Sequence, residues 1–143
     1  MASFTKVNDF VVNLANAMDL DSDTLKVALC NTDPTSGTNV ISDSNWVLEN
    51  VKEISYTNLS ARTLQNVTST QTGGTYKLSA DDLVLTASGG SVAPFRYVII
   101  YNDTPTSPAD PLVGYYDYGS SLTLNDGDTF TIDIGTNGIL TLT

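Results

Sequence analysis

The sequence predicts a mainly β protein, either an antiparallel β-sandwich or a jelly-roll-like barrel, with one N-terminal amphipathic helix. Residues 94–143 indicate five consecutive short strands separated by turn residues. Within them, residues 95–101 place apolar or aromatic side chains on both faces, as in a strand that is covered on both sides. Charged residues make up only 15% of the chain while Ser, Thr, Asn and Gly are plentiful, a composition typical of rigid β structures.

The length of the chain fits one domain. With 143 residues it can bury a sizeable core, yet it is too short to hold two comfortable domains. We therefore expect a single β-sandwich domain over residues 1–143, with residues 24–31 and 62–143 as its strand-rich parts.

The first predicted element is a helix over residues from about 5 to 18. Its apolar residues recur at intervals of three and four, the spacing of one helix face that lies on a hydrophobic surface. These residues are Val7, Phe10, Val11, Leu14, Ala17 and Met18. Residues 24–31 then alternate as a strand, and residues 44–53 allow two or three helical turns with Ser44 as the cap.

The second half of the chain alternates strands with turn residues. Gly73 and Gly74 predict a hairpin turn between two strands in residues 62–79, because glycine tolerates the positive φ that such turns need. The later predicted strands are residues 83–88, 95–101, 112–119, one that begins at 122–124, 130–134 and 139–143.

A proline-rich loop joins two of these strands. The loop over residues 103–111 contains Pro105, Pro108 and Pro111, which remove backbone donors and stiffen the chain. An exposed loop of fixed shape is suited to contacts with other molecules. We therefore expect these three prolines to be candidates for an interface.

The charge of the chain excludes one class of partner. The net charge is -10, the pI is near 4.1, and only 6 residues are Lys or Arg. Affinity for nucleic acid comes mainly from cationic side chains that neutralise phosphates. We therefore expect no nucleic-acid partner.

The sequence predicts neither a disulfide framework nor a membrane segment. Cys30 is the only cysteine, so we expect it to be a small buried residue of a strand. The N-terminal residues lack the basic region and continuous apolar run of a signal peptide, and no apolar run is long enough to span a bilayer. We expect a soluble protein that is made in a cytoplasm and has no membrane partner.

The sequence does not predict an enzyme. It contains no histidine, which removes the usual general base and every Ser-His triad. Asp126 and Asp128 could pair as catalytic carboxylates, but they flank Gly127 in a predicted hairpin, where Asp is favoured because it bonds to its own backbone. We expect no catalytic residues.

The spacing of Asp19, Asp21 and Asp23 is like the start of a calcium-binding loop. The glycine expected next is Thr24, however, and the glutamate expected at the end of the loop is Cys30. A solvated turn at the end of the helix is the better interpretation. We expect no metal site and no cofactor.

Two tyrosine-bearing faces of one strand predict a further candidate for contacts. In an extended strand, Tyr116 and Tyr118 share one face while Tyr115 and Asp117 share the other. One face fills the core, and the other is available as an amphipathic anchor for a partner subunit or a sugar. For Tyr115, both core packing and interface use stay open, with Asp117 as its neighbour on the same face.

Blocks along nearly the whole chain resemble a family of small virion structural proteins of tailed bacteriophages. The blocks, in chain order, are VNDFVVNLANAM, DTLKVALCNTDP, PFRYVIIYND, DPLVGYYDYGSS, NDGDTFTIDI and GILTLT. The resemblance implies an all-β module of the phage particle and supplies no catalytic residues.

The best-matched role in that family is a head decoration, or cement, protein. The resemblance implies a protein located in the virion and assembled in the host cytoplasm, with the major capsid protein or other virion proteins as partners. It also implies a homo-oligomer, a trimer being favoured. Alternatives are a tail tube, tail-tip or fibre or baseplate component, and a glycan-binding module.

Overall fold

The computed structural model describes residues 2–35 and 46–143, and this part of the chain is mainly β with one α-helix. The helix α1 spans Phe10–Asn16. The strands are β1 Phe4–Lys6, β2 Leu25–Cys30, β3 Thr68–Thr72, β4 Thr75–Ser79, β5 Leu83–Thr86, β6 Phe95–Asn102, β7 Leu112–Leu122, β8 Thr129–Ile132 and β9 Leu140–Leu142. The predicted fold class, mainly β with antiparallel pairing and one helix, is confirmed.

The largest sheet has four strands in the order β1-β7-β6-β2, and each neighbouring pair is antiparallel. Seven of the eight residues of β6 are buried, Arg96 being the exception. The prediction that this strand is covered on both faces is therefore confirmed. In its register with β7, Val98 lies opposite Tyr116 and Ile99 lies opposite Tyr115.

Two smaller sheets complete a sandwich-like architecture. One has the order β3-β4-β9 and the other pairs β5 with β8. Phe130 of β8 contacts Phe95 of β6 edge to face at 5.3 Å, so the two-stranded sheet packs on the four-stranded one. The described strands form three open sheets, so the jelly-roll-like barrel, the other form considered, is not adopted.

The predicted hairpin around Gly73 and Gly74 is confirmed. β3 and β4 pair antiparallel with Thr72 opposite Thr75, which leaves the two glycines as the connecting turn. Their φ angles are 57° and 85°, in the left-handed region that favours glycine.

The N-terminal helix is shorter than the spacing predicts. Residues 5–18 were expected to be helical, but Phe4–Lys6 form β1 and α1 covers only Phe10–Asn16. The apolar spacing misled because Val7 reaches the core from the turn between the two elements, while Val11 is 51% exposed. The pairing of β1 with β7 thus prevails over helical propensity at the start of the chain.

The prediction of a second helix over residues 44–53 is wrong for the residues that the structure describes. Ser44, its expected cap, lies outside them. Val47 is extended and bridges to Pro111, and only Leu48–Asn50 form a single 3-10 turn. Backbone pairing of this segment with the start of β7, including a 3.0 Å bond from Leu112 N–H to the Trp46 carbonyl, replaces the helix.

The last fifty residues contain four strands where five were expected. The predicted strand at 122–124 is partly the end of β7, which runs without interruption through Ser120 and Ser121 to Leu122. Gly119 has a φ of 98°, so the strand continues through a residue that a side chain would strain. No helix in the described ranges has the length and hydropathy needed to cross a membrane.

The buried apolar residues form one hydrophobic cluster. It includes the helix residue Phe10, the central strand residues Ile99 and Ile100, and Leu78 and Leu85 from the smaller sheets, all at most 1% exposed. The cluster therefore links α1 with all three sheets. Cys30 lies within it, as expected for a buried strand residue.

Candidate functional site

Asp117 forms an ion pair with Arg96. Its Oδ1 accepts a hydrogen bond from Arg96 Nε at 2.8 Å, and its Oδ2 accepts one from Arg96 Nη2 at 3.0 Å. Oδ1 also accepts a hydrogen bond from the Gly119 N–H at 2.8 Å. The Arg96 hydrogen bond holds the pKa of the Asp117 carboxyl below its usual value. This residue is thus a partly exposed anion that already has a cation beside it.

Tyr115 is partly buried on the same strand. It lies opposite Ile99 on one side and Thr5 on the other, and its ring meets that of Tyr97 edge to face at 6.5 Å. Burial is the main reason that the pKa of the Tyr115 hydroxyl is raised. The side chain therefore combines packing with a partly accessible edge.

The three prolines of the 103–111 loop differ in exposure. Pro108 is exposed and Pro105 is half-buried. Pro111 is buried, so the expectation that the whole loop is exposed does not hold at this residue. The carbonyl of Pro111 accepts the Asn102 N–H at 2.9 Å, and that of Asp110 accepts the Leu48 N–H at 3.0 Å. The end of the loop is therefore tied into the sheet, whereas residues 106–109 at its tip are exposed.

The five candidate residues do not form one site. Pro111 immediately precedes β7, and Asp117 lies six residues further along the extended chain, a distance of about 20 Å. The Tyr115–Asp117 face and the tip around Pro108 are thus two separate surfaces.

The aspartates at the end of the helix serve the turn. Asp19 accepts hydrogen bonds from the Asp21 N–H at 3.2 Å and the Ser22 hydroxyl at 2.9 Å. Asp23 accepts the Asp19 N–H at 2.8 Å and the Asn102 side-chain amide at 2.7 Å. Within the described ranges, no three Cys, Asp or Glu residues are grouped so that they could hold a metal ion.

The aspartates of the β7–β8 connection also bond to backbone. Asp128 accepts the Asn125 N–H at 2.9 Å, and Asp126 accepts the Gly89 N–H at 3.0 Å. Asp128 thus bonds within its own turn, as predicted, whereas Asp126 bonds to a different connection. Because β8 pairs with β5 and not with β7, the predicted hairpin around Gly127 is not formed.

A groove that the sequence did not predict lies between the four-stranded sheet and β8. Its volume is about 150 Å³, and its lining includes Val98, Tyr116, Tyr118, Phe130, Ile132 and Asp133. Tyr118 is 51% exposed, although it is a large aromatic residue. The groove is therefore an accessible, mainly apolar recess on the surface of an acidic protein.

Aromatic contacts fix the shape of this groove. The Tyr118 ring meets Phe130 edge to face at 5.4 Å, and the Tyr116 ring meets Phe4 at 4.9 Å. Phe130 in turn packs against the fully buried Phe95. The groove walls are thus held by the core rather than by loops.

Only part of this groove could be predicted from the sequence. Strand alternation placed Tyr116 and Tyr118 on one face, opposite to Tyr115. Which face stays accessible depends on how far β8 covers β7, and a contact between sheets is not encoded in strand spacing. The structure shows that β8 covers this face only in part, leaving Tyr118 at its open side.

This chain matches no protein-family profile, no curated protein and no solved structure. The likeness of its sequence blocks to phage virion proteins stays a prediction.

Proposed function

We propose that this protein is a non-enzymatic structural component of a tailed-phage virion. In that role it decorates the outside of the head and bridges neighbouring capsid subunits. The proposal begins from the resemblance of six sequence blocks over nearly the whole chain. Its partner is the major capsid protein or another virion protein.

The observation that carries the proposal is the aromatic groove beside Tyr118. Tyrosine at the edge of an apolar recess is a common anchor of protein interfaces, since the ring buries a large area and the hydroxyl stays hydrated. The groove is lined from two sheets, by Tyr116 and Tyr118 on one side and Phe130 on the other. A rigid recess of this kind binds with little loss of conformational entropy.

The hydrogen bonds that the carboxylates accept within the chain support a structural role over an enzymatic one. Asp126 and Asp128 accept backbone hydrogen bonds, and Asp117 is held by Arg96. These groups stabilise turns and strand pairing. The net charge of -10 further favours a protein partner over nucleic acid.

A decoration protein acts at symmetry axes of the shell, so the proposal includes a homo-oligomer, with a trimer favoured. Its capsid-binding surface is the groove, with the loop tip around Pro108 and the Tyr115–Asp117 face available for contacts between copies. Tyr115 and Tyr118 lie on opposite faces of β7 and Pro108 lies in a loop, which gives a bridging protein separate contacts for different neighbours.

Co-sedimentation with expanded heads tests the proposal. The purified protein is mixed with heads that lack it, and the bound fraction is measured. We expect saturable binding, with a copy number that follows the number of capsid subunits. Tyr118→Ser should weaken binding, whereas Val11→Ser, which changes an equally exposed apolar residue on α1, should not (both are 51% exposed).

A density map of the intact particle decides between virion locations. Density for this fold on the outer head surface is the expected result. Density in the tail tube, tail tip or baseplate would replace the decoration role by the tail role. Absence from the particle together with specific binding to a host glycan would overturn the virion proposal in favour of a glycan-binding module.

A further inference from the structure

The size of the groove selects the kind of group that enters it. An apolar cavity of roughly 150 Å³ holds a benzene-sized group, and the groove has a volume of about 150 Å³. Val98 and Ile132 supply aliphatic walls, and Tyr118 and Phe130 supply aromatic ones. The recess therefore fits one aromatic ring or one branched aliphatic side chain.

The charge at the groove indicates which kind of partner residue would lie beside the inserted apolar side chain. Asp133 is exposed and belongs to the lining, which includes no Lys or Arg. The chain as a whole carries a net charge of -10. A partner segment with a Lys or Arg next to its apolar side chain would find an exposed carboxylate on a residue of the groove lining.

A second copy of this chain is a poor occupant of the groove. A segment of a second copy has few cations to bring to Asp133, since the chain has only 6 Lys and Arg residues against 16 Asp and Glu residues. Two of these cations already pair within the chain, Arg96 with Asp117 and Lys26 with Asp103. Charge complementarity thus favours a different, cationic protein.

We propose that the groove binds an extended segment of a partner protein, which inserts one apolar ring and places an adjacent Lys or Arg against Asp133. The identification of that partner as the capsid subunit rests on the proposed function. The chemistry of the segment rests on the groove alone. A sugar is disfavoured because the groove lining presents mainly carbon. Thr131, Asp133 and the two tyrosine hydroxyls are the few polar side-chain groups that its lining residues offer to sugar hydroxyls.

Peptide titration followed by methyl NMR of the full chain tests this inference. The probe is a capped five-residue peptide with phenylalanine between two lysines. Two controls replace the phenylalanine by alanine or the lysines by glutamates. We expect saturable shifts of the Val98 and Ile132 methyl groups with the probe, while the Val11 methyl groups on α1 stay unchanged.

The controls separate the apolar contribution from the charge contribution. Loss of the ring should abolish saturable binding. Exchange of the lysines for glutamates should weaken it by about two- to fivefold or more, as for an exposed ion pair that is replaced by a repulsive one. Asp133→Asn should remove most of this charge dependence while leaving the ring-dependent shifts in place.

Three results would overturn the inference. One is the absence of saturable shifts at the groove methyl groups with any peptide. Another is equal binding of the lysine and glutamate peptides to the unchanged chain. The third is tighter binding of a short oligosaccharide, such as maltotriose, at the same methyl groups.

Binding to heads keeps this inference distinct from the proposed function. If heads bind the unchanged protein, Tyr118→Ser and Asp133→Asn equally well, the capsid subunit is not the partner that enters the groove, and the decoration role stands on another surface. If the lysine peptide binds in the groove but heads do not bind the protein, the decoration role fails and the groove inference stands.

Discussion

The Phe4 ring of β1 occupies the space that a side chain at position 114 of β7 would need. A Cβ atom built on Gly114 would collide with that ring and with the carbonyl oxygen of Thr5. Phe4 also packs edge to face on Tyr116 at 4.9 Å. The absence of a side chain at position 114 is therefore what allows β1 to lie close to β7, where Phe4 packs on the groove residue Tyr116.

Gly114→Ala should destabilise the protein by about 1–3 kcal/mol, the usual effect of forcing extra volume into a packed site. Urea unfolding followed by tryptophan fluorescence measures the change. Gly135→Ala is the matched control, because a Cβ there meets no atom within 4 Å. Equal unfolding midpoints for the two variants would contradict the described packing of β1 on β7.

The strands were predictable where alternation coincides with burial on a known face. Residues 95–101 have apolar side chains on both faces, and the structure buries both. The helix was less predictable, because Val7 and Phe10 have helical spacing, yet Val7 is buried from the turn before α1 and Phe10 from α1 itself. Long-range pairing of Phe4–Lys6 with β7 decides that boundary, and no local pattern reports it.

The candidate surfaces show the same limit. Sequence spacing placed Tyr115 and Asp117 on one face, but it contained no sign that Arg96 would hold Asp117 in two hydrogen bonds. The register of β6 against β7 brings those side chains together. The aromatic groove likewise depends on contacts between sheets, which single-strand patterns do not contain.

The titration of Asp117 should be displaced to low pH. Its folded-state pKa is lowered mainly by the Arg96 hydrogen bond, whereas an unfolded Asp has a pKa of about 3.9. The pair's contribution to stability is therefore complete above that unfolded value and is lost as the pH falls through the folded one. Carboxyl NMR should give a lower midpoint for Asp117 than for a model peptide, and Arg96→Gln should raise it.

High salt is the control for this electrostatic effect. The pair is partly exposed, with side-chain exposures of 38% and 40%, so added salt should reduce the displacement of the Asp117 midpoint. A midpoint that is the same in the unchanged protein and in Arg96→Gln would show that the two side chains do not interact in solution.

Cys30 should be inert in the folded protein. It is fully buried, and burial raises the pKa of its thiol to about 12. Because the thiolate is the reactive form, labelling by a thiol reagent at neutral to mildly alkaline pH should be on the order of a thousandfold slower than in the unfolded chain. Cys30→Ala combined with Ser120→Cys supplies an exposed thiol for comparison, and equal labelling rates would contradict the buried position.

The hydroxyl of Tyr56 should stabilise the segment that covers the outer edge of β2. It donates to Glu53 at 2.6 Å and accepts the Leu29 N–H at 3.0 Å, so Tyr56→Phe leaves a strand amide without its partner. We expect a loss of about 1–3 kcal/mol in the free energy of unfolding, measured with urea. The ring stays in place beneath the Arg62 guanidinium, 3.5 Å from its centroid, so only the hydroxyl is tested. Tyr118→Phe, at a position that is 51% exposed, should change stability little. Equal stabilities of the two variants would show that this hydroxyl does not join the segment to β2.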